Sequence, residues 1–488
     1  MKKILSILAA ASLSLTACNS YLDINYDPNS PSADVVDNDM ILPAVEMAFS
    51  AKYGDVMRIY GGYLAEHYCQ YFGTSNYLDF SRFIFSATRV NNVYSTIMPG
   101  CIANATVVRE KAAEAEEWGT YLAATVLRVF AYQSLVDAFG ELPYTEAMNA
   151  DILNPVYDDG AAIYAGLVAE LDEALTKVSP SDVVATNFLY NGETAGAWIK
   201  FANALKLKLL MRESRVANVS GALASLIAEN NFPTSDVAWA GIWKNESGRA
   251  NPFYQEEFAT YFGSTQINVG LNVALLRVMS EYNDGRLPAF FSPNASNAYW
   301  GGISGWNMST SSNYKAGSYC RPNMAYNSPV YLITLSEIEF FLSEYYMSSS
   351  PAQAQAHYEA AIEASFASAG VDGAEVAIAA YPYDGTLETL GIQKWVALSG
   401  TNNFEAWCEM RRLGYPAMSN VTGNDIYSND TVDPEKLPLG KLYTPIDVEP
   451  SVGAGNLLQR WPYPLSSSNY NSNAPANKAP TEKVFWAK

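Results

Sequence analysis

Residues 334–370, TLSEIEFFLSEYYMSSSPAQAQAHYEAAIEASFASAG, carry two helices and the turn between them. Thr334-Leu335-Ser336-Glu337 has the form of a capping box, a hydroxyl that accepts from the third amide and a glutamate that reaches back. It opens a helix predicted to run through Met347. Ser350 followed by Pro351 repeats the signal, because proline's fixed φ suits the first helical position and its missing N–H is not needed there. The second helix gathers Tyr358, Ala361, Ile362, Ser365 and Phe366 on one face and stops at Gly370. The turn is short, so the helices run antiparallel, with small residues where they cross.

Such a pair resembles one tetratricopeptide-type hairpin. Helical periodicity recurs at about 36–52, 92–116, 119–138, 160–177, 269–281 and 387–398. In Trp198–Leu209 the apolar residues fall at Trp198, Phe201, Ala202, Leu205 and Leu209, with Lys200, Asn203 and Lys206 turned elsewhere. The stretches 92–116 with 119–138, and 160–177 with 193–212, are candidate further hairpins. Their spacing is irregular, which predicts a degenerate helical set and not a regular solenoid. Between them, about 73–91, 232–266, 283–329 and 413–488 lack periodicity. Long structureless loops are uncommon unless functional, so the hairpins read as their scaffold.

The N-terminus has Lys2 and Lys3, a largely apolar run from Ile4 to Leu15, then Thr16-Ala17-Cys18. A basic start and a short apolar run form a secretory signal, too brief for the roughly 20 residues of a membrane span. Leucine, two small residues and a cysteine have the pattern of a bacterial lipobox. Residues 1–17 are thus expected to be a signal peptide, and Cys18 the acylated N-terminus of the mature chain, palmitate included. Residues 18–32, turn-rich through Asp23, Asn25, Asp27, Pro28, Asn29 and Pro31, read as a tether. No other stretch reads as a bilayer span.

Hydrophobic residues make up 49% and charged residues 16%, enough to bury a large core. Without Lys2 and Lys3 there are 50 acids against 28 bases, a charge of −22, which disfavours nucleic acid as a partner. Cys69, Cys101, Cys320 and Cys408 are far apart and make no C-x-x-C pair, so no zinc site is suggested; disulfides and buried thiols both fit. His67 and His357 are the only histidines and read as packing or surface residues. Nucleotide-loop, serine-hydrolase and zinc-protease motifs do not occur. Glu405 and Glu409, one turn apart, are expected to pair with Arg411, Arg412 or a neighbouring helix rather than to act as a glycosidase pair.

Aromatic loops carry the stronger signal. Tyr299-Trp300-Gly301-Gly302-Ile303-Ser304-Gly305-Trp306-Asn307 sets two indoles in a glycine-rich loop, followed by Tyr314 and Tyr319. Glycine permits tight turns, which could present these rings to solvent for stacking on a sugar or an extended peptide, with Asn307 as a nearby amide. Tyr77, on the 73–91 loop, is a second candidate rim. The opposing expectation is that the indoles plug the loop onto the body.

Taken in order, several segments resemble the SusD/RagB family of nutrient-binding outer-membrane lipoproteins: Tyr21–Asn29, Phe139–Ala147, Phe201–Leu209, Asn283–Pro288, Gln393–Leu398, Glu405–Pro416 and Arg460–Pro464. A serine stands shortly after the last where the family pattern has a glutamate. The resemblance implies a mostly α fold of tetratricopeptide-like hairpins supporting an irregular, loop-rich ligand-binding half, as one domain over 33–488. It also implies a lipid-anchored lid on the outer membrane, facing outward, that captures oligosaccharides for a SusC-like TonB-dependent transporter, with no catalysis and no cofactor. The same role with peptide ligands, a glycan-degrading surface enzyme and a helical adaptor are the alternatives. Ligand residues are not carried over from the family; Tyr77, Trp300, Trp306, Asn307, Tyr314 and Tyr319 come from the loop argument.

Cys18→Ala should leave the protein unlipidated and absent from the outer membrane, since acyl chains supply its bilayer affinity. Fractionation in high salt, in cells lacking the transporter, checks this; a mutant that still sediments with outer membrane overturns the lipoprotein expectation.

Overall fold

The computed structural model describes residues 36–192, 194–259 and 267–488, so the signal peptide, Cys18 and the tether lie outside the described residues. The helices used below are α1 (Asn38–Lys52), α2 (Arg58–Leu64), α3 (Ala87–Ile97), α4 (Asn104–Glu114), α5 (Trp118–Phe139) and α6 (Gly160–Lys177). They continue as α7 (Ala195–Glu213), α8 (Ser220–Glu229), α9 (Val273–Glu281), α10 (Leu335–Tyr346), α11 (Pro351–Ala369), α12 (Leu387–Ser399) and α13 (Asn403–Leu413).

The α10–α11 hairpin forms where the capping signals predict, except that Ser350 makes no side-chain cap hydrogen bond and Pro351 alone marks the start of α11. Thr334 Oγ1 accepts from Glu337 N at 3.1 Å, and Gly370 ends α11 with φ of 67°. Ser336 Oγ donates to Ala361 O (2.7 Å) and Ser343 Oγ to Ala354 O (2.8 Å), so small residues let one helix bond to the backbone of the other. Half of the capping box is used differently from the expectation. The Glu337 side chain does not return to the cap; it is buried 3.1 Å from Lys208 Nζ. A buried cation attracts a carboxylate more strongly than a neutral backbone amide does.

Tertiary context also redraws some helix limits. The predicted helix over 92–116 is α3 and α4, separated by a wide π-helical turn over Met98–Ala103. Pro99 explains it, since proline lacks an amide donor and crowds the preceding turn. Helix α9 starts later than the periodicity suggests because Asn272 caps it, accepting from Ala274 N at 2.9 Å, while Val269–Leu271 pairs as a strand with Tyr68–Gln70. Asn203, which the periodicity turns outward, is buried and donates to Asn231 O (3.0 Å), because the chain after α8 covers that face of α7.

Helix α5 is the central element. By length and composition it is apolar enough to cross a membrane, contrary to the expectation that no stretch beyond the leader is. Residues 119–139 are instead buried inside the protein, against α4, α6 and α7. All-round apolarity here marks a core helix. Gly61 of α2 allows a close crossing with α13: a Cβ there would stand 2.3 Å from Phe404 Cα.

Charge is buried where α5, α7, α10, α12 and α13 meet. Arg212 contacts Glu405 (2.6 Å), Glu409 and Asp137 (3.4 Å); Lys208 sits 2.8 Å from Glu405; Lys394 and Arg412 reach Glu409 at 2.8 and 2.7 Å. Glu405 and Glu409 are therefore committed to ion pairs in the core, as their spacing beside Arg411 and Arg412 suggests. The four described cysteines are buried free thiols. His67 is buried against Trp395, and His357 pairs with Glu339 at 2.6 Å.

Two measurements test this packing. Ile362 is fully buried in the α10–α11 hairpin, so Ile362→Ala should cost about 2–5 kcal/mol in a denaturant melt, through lost burial and a residual cavity; a change within about 0.5 kcal/mol would place it on the surface. Glu46 accepts from Phe188 N (2.5 Å), Leu189 N (3.0 Å) and Trp239 Nε1 (3.2 Å), yet burial pushes its carboxyl up from 4.5 to about 7. Its folded value is the higher one, so the stability tied to its proton is full below pH 4.5 and is lost as pH rises through about 7. Glu46→Gln should therefore flatten part of the decline in denaturation midpoint between about pH 5 and about pH 8 relative to wild type.

Candidate ligand-binding site

Loop 299–320 is stitched onto the body at its base. Gly302 N donates to Leu271 O (2.8 Å), Val273 N to Gly302 O (2.9 Å), Ser304 N to Tyr443 Oη (2.7 Å) and Ile446 N to Ser304 O (3.0 Å). Gly305, at φ +87°, lies so close that a Cβ would sit 1.9 Å from Ile446 O. The glycines thus bring the loop down onto the protein, where the expectation had them lifting rings into solvent. Only residues without a side chain tolerate backbones this near.

What rises from this base is a ring cluster. The Trp300 ring lies 4.6 Å from that of Tyr314, tilted by 33°, and 4.7 Å edge-on from Tyr319. Trp300 and Tyr314 are half-buried, each keeping some surface in solvent, whereas Tyr319 is 3% exposed and forms their floor. Behind Tyr319 stand Tyr71 (5.1 Å) and Phe72 (6.3 Å), and Tyr71 Oη donates to Ala316 O at 2.6 Å. Trp306 is half-buried, and its Nε1 is a buried donor with no hydrogen-bond partner.

Two sequence-predicted residues have other duties. Asn307 joins the loops, with Nδ2 donating to Thr74 O (2.9 Å), Oδ1 accepting from Ser309 N (3.2 Å) and its carbonyl accepting from Gly73 N (2.9 Å). Tyr77 is 5% exposed, in a separate ring group with Tyr63 and Phe80, and its hydroxyl donates to Glu256 (3.2 Å). Burial raises the Tyr77 hydroxyl pKa well above its ordinary value. The structure therefore groups Trp300, Tyr314 and Tyr319, places Asn307 at the loop junction and buries Tyr77 in a separate ring group.

Sequence reasoning missed the clamp on the far side. Tyr427–Ser428 and Thr431–Val432 form a hairpin whose turn residues, Asn429 and Asp430, both have positive φ. Asp430 accepts from the Ser311 hydroxyl (2.5 Å), Ser312 N (2.8 Å), Asn313 N (2.9 Å) and Tyr427 Oη (2.7 Å), and Val432 N donates to Tyr314 Oη at 2.9 Å. The Ser311 and Ser312 hydroxyls hold the Asp430 carboxyl well below the usual carboxylate range. An Asn-Asp pair is a hairpin-turn signal, but its partner in the 311–313 loop is a long-range matter.

A cavity of about 680 Å³ lies elsewhere, where residues 37–39 meet 114–118 and 182–185. Its lining is rich in carboxylates (Asp37, Asp39, Glu114, Glu116, Glu117 and Asp182), with Lys111 opposing. It lacks the paired rings of the Trp300 cluster, which matches better the amphipathic ligand predicted from the loop.

Comparison with known proteins agrees with this architecture. A family profile described as SusD-like, starch-binding and associating with the outer membrane matches residues 42–438. A search of curated proteins gives no match. A SusD homolog from Bacteroides uniformis superposes with a TM-score of 0.73 at 20% identity, covering 94% of this chain and 100% of its own. A chitin-binding protein gives 0.70 at 18%, covering 92% and 99%, and a SusD-like protein from Bacteroides thetaiotaomicron gives 0.69 at 19%, covering 91% and 99%. At such identity the superpositions speak for the fold, and the profile speaks for the family. With that profile over most of its length, the chain belongs to the SusD-like family.

Proposed function

We propose that this protein is a surface lipoprotein, anchored in the outer membrane through Cys18, that captures oligosaccharides at the Trp300–Tyr314 ring pair and delivers them to a SusC-like TonB-dependent transporter. The observation that carries the reading is the half-buried indole of Trp300, held by Tyr314 and Tyr319 with part of its surface in solvent. An apolar ring face takes the C–H face of a sugar. Family membership and the chitin-binding relative favour a glycan over a peptide. Glu405 and Glu409, the acid pair singled out in the sequence, are committed to ion pairs deep in the scaffold, which favours binding over the glycan-degrading alternative.

Trp300→Ala should weaken oligosaccharide binding at least about tenfold, or about 1.4 kcal/mol, in a calorimetric titration. Its thermal midpoint should barely move, because the loop base is held by backbone hydrogen bonds that the indole does not make. Lower stability with intact affinity would make Trp300 a plug and remove this loop from the site.

A further inference from the structure

Glu66, just past the end of α2, is wholly buried, and its backbone is left-handed at φ +51°. Glycine is the usual residue at such a helix end, because a Cβ is crowded there. Oε2 accepts from Tyr443 N at 3.2 Å, whereas Oε1 is buried with no hydrogen-bond partner. Burial pushes the carboxyl well above the usual carboxylate range, with only the Tyr443 amide opposing, so no cation offsets its cost. Other titratable groups close by bring no charge. Burial pushes His67 down to about 3, its Nδ1 accepting from Asn403, and the Cys69 thiol donates to Leu271 O at 3.2 Å. For packing alone, an apolar residue would serve better than this acid.

What Glu66 holds is a residue displaced from its strand. Lys441–Thr444 pairs in parallel with Ala417–Thr422, but the register shifts between Leu442 and Thr444, and Tyr443 lies in the shift. Such an irregularity frees a residue from the ladder and re-aims its side chain. The freed Tyr443 N–H is caught by Glu66. Its hydroxyl reaches the foot of the ring-bearing loop, accepting from Ser304 N at 2.7 Å and donating to Asn272 Oδ1 at 3.2 Å. Tyr443, Ser304 and Asn272 are all buried, and Ser304 lies between Trp300 and Trp306 in the chain. A continuous set of bonds therefore runs from the end of α2 to the loop.

We infer that Glu66 is a positioning residue for the ring-bearing loop, acting through Tyr443 on Ser304 to hold the Trp300–Tyr314 ring pair in place. This task accounts for a buried acid kept in a strained conformation, since such strain persists where the surrounding structure over-determines it. A neutral carboxyl suits the task, because its carbonyl oxygen accepts from Tyr443 N without bringing a charge into the interior. Its bearing on ligand capture rests on the ring pair being the binding site; its hold on the loop does not.

The test reads hydrogen exchange of residues 299–306 in the purified protein without ligand, with the α10–α11 hairpin as internal control. Glu66→Gln keeps the acceptor and should exchange as wild type. Glu66→Met fills a similar volume without an acceptor, and should speed exchange in the loop at least about tenfold while the hairpin is unchanged. Tyr443→Phe keeps the ring and leaves Glu66 in place, so it reads the same link if Glu66→Met does not fold. It should match Glu66→Met, and the double substitution should add little, because both cut one chain of contacts. Wild-type exchange in Tyr443→Phe, acceleration spread evenly over loop and hairpin, or Glu66→Gln behaving as Glu66→Met would overturn the inference. Titration with maltoheptaose separates the two readings. A loosened loop with unchanged binding, or no binding by wild type, counts against capture at the ring pair and leaves the role of Glu66 to the exchange result.

Discussion

The structure turns on a set of charges that it cannot leave unpaired. Lys208, Arg212, Lys394, Arg411 and Arg412 are matched in number by Asp137, Glu337, Glu344, Glu405 and Glu409, all buried or nearly so. A lone buried ion carries a desolvation penalty of several kcal/mol, so each helix contributing one is held in register by its partners. The pairing is graded. Glu409, facing Arg412, Lys394 and Arg212, is held well below the usual carboxylate range despite burial. Glu337 shares Lys208 with the closer Glu405, and burial pushes it up to about 7. The arrangement specifies which helices meet more than it adds net stability, since apolar residues of similar volume could fill the same space.

From this scaffold the loops acquire their places. Helix α13 carries Glu405, Glu409, Arg411 and Arg412 and also Trp407, whose indole stacks at 6.0 Å on Trp461. Arg460 beside it bonds to Phe139 O and Glu141, so the last part of the chain closes on the end of α5. Asn272, at the start of α9, donates to Ser304 Oγ (2.9 Å) and Tyr68 O (3.2 Å), fixing the foot of the ring-bearing loop to the core. The ring cluster is thus a surface feature on a rigid base, an arrangement suited to binding with little ordering cost.

The Asp284–Arg286 pair follows the same economy of buried groups. Asp284 and Arg286 neutralise each other, Phe366 lies under the guanidinium at 5.0 Å, and the Gln393 carbonyl meets the remaining donor.

Local sequence determined the helical scaffold, because capping residues, proline, glycine stops and periodic apolar faces act within one or two turns. Thr334, Ser350-Pro351 and Gly370 delimit α10 and α11 as their chemistry requires, and the family segments were recognisable in order. The ring cluster was legible by composition, through Trp300, Tyr314 and Tyr319 in one loop. Tertiary structure alone decided which rings face solvent, since burial depends on what crosses above each one: Tyr77 and Tyr319 went under, and Asn307 was taken up in joining two loops. It also decided that Glu337 serves Lys208 instead of its own helix cap and that α5 is a core helix. Each of these outcomes follows from long-range electrostatics or packing, which no local pattern of residues encodes.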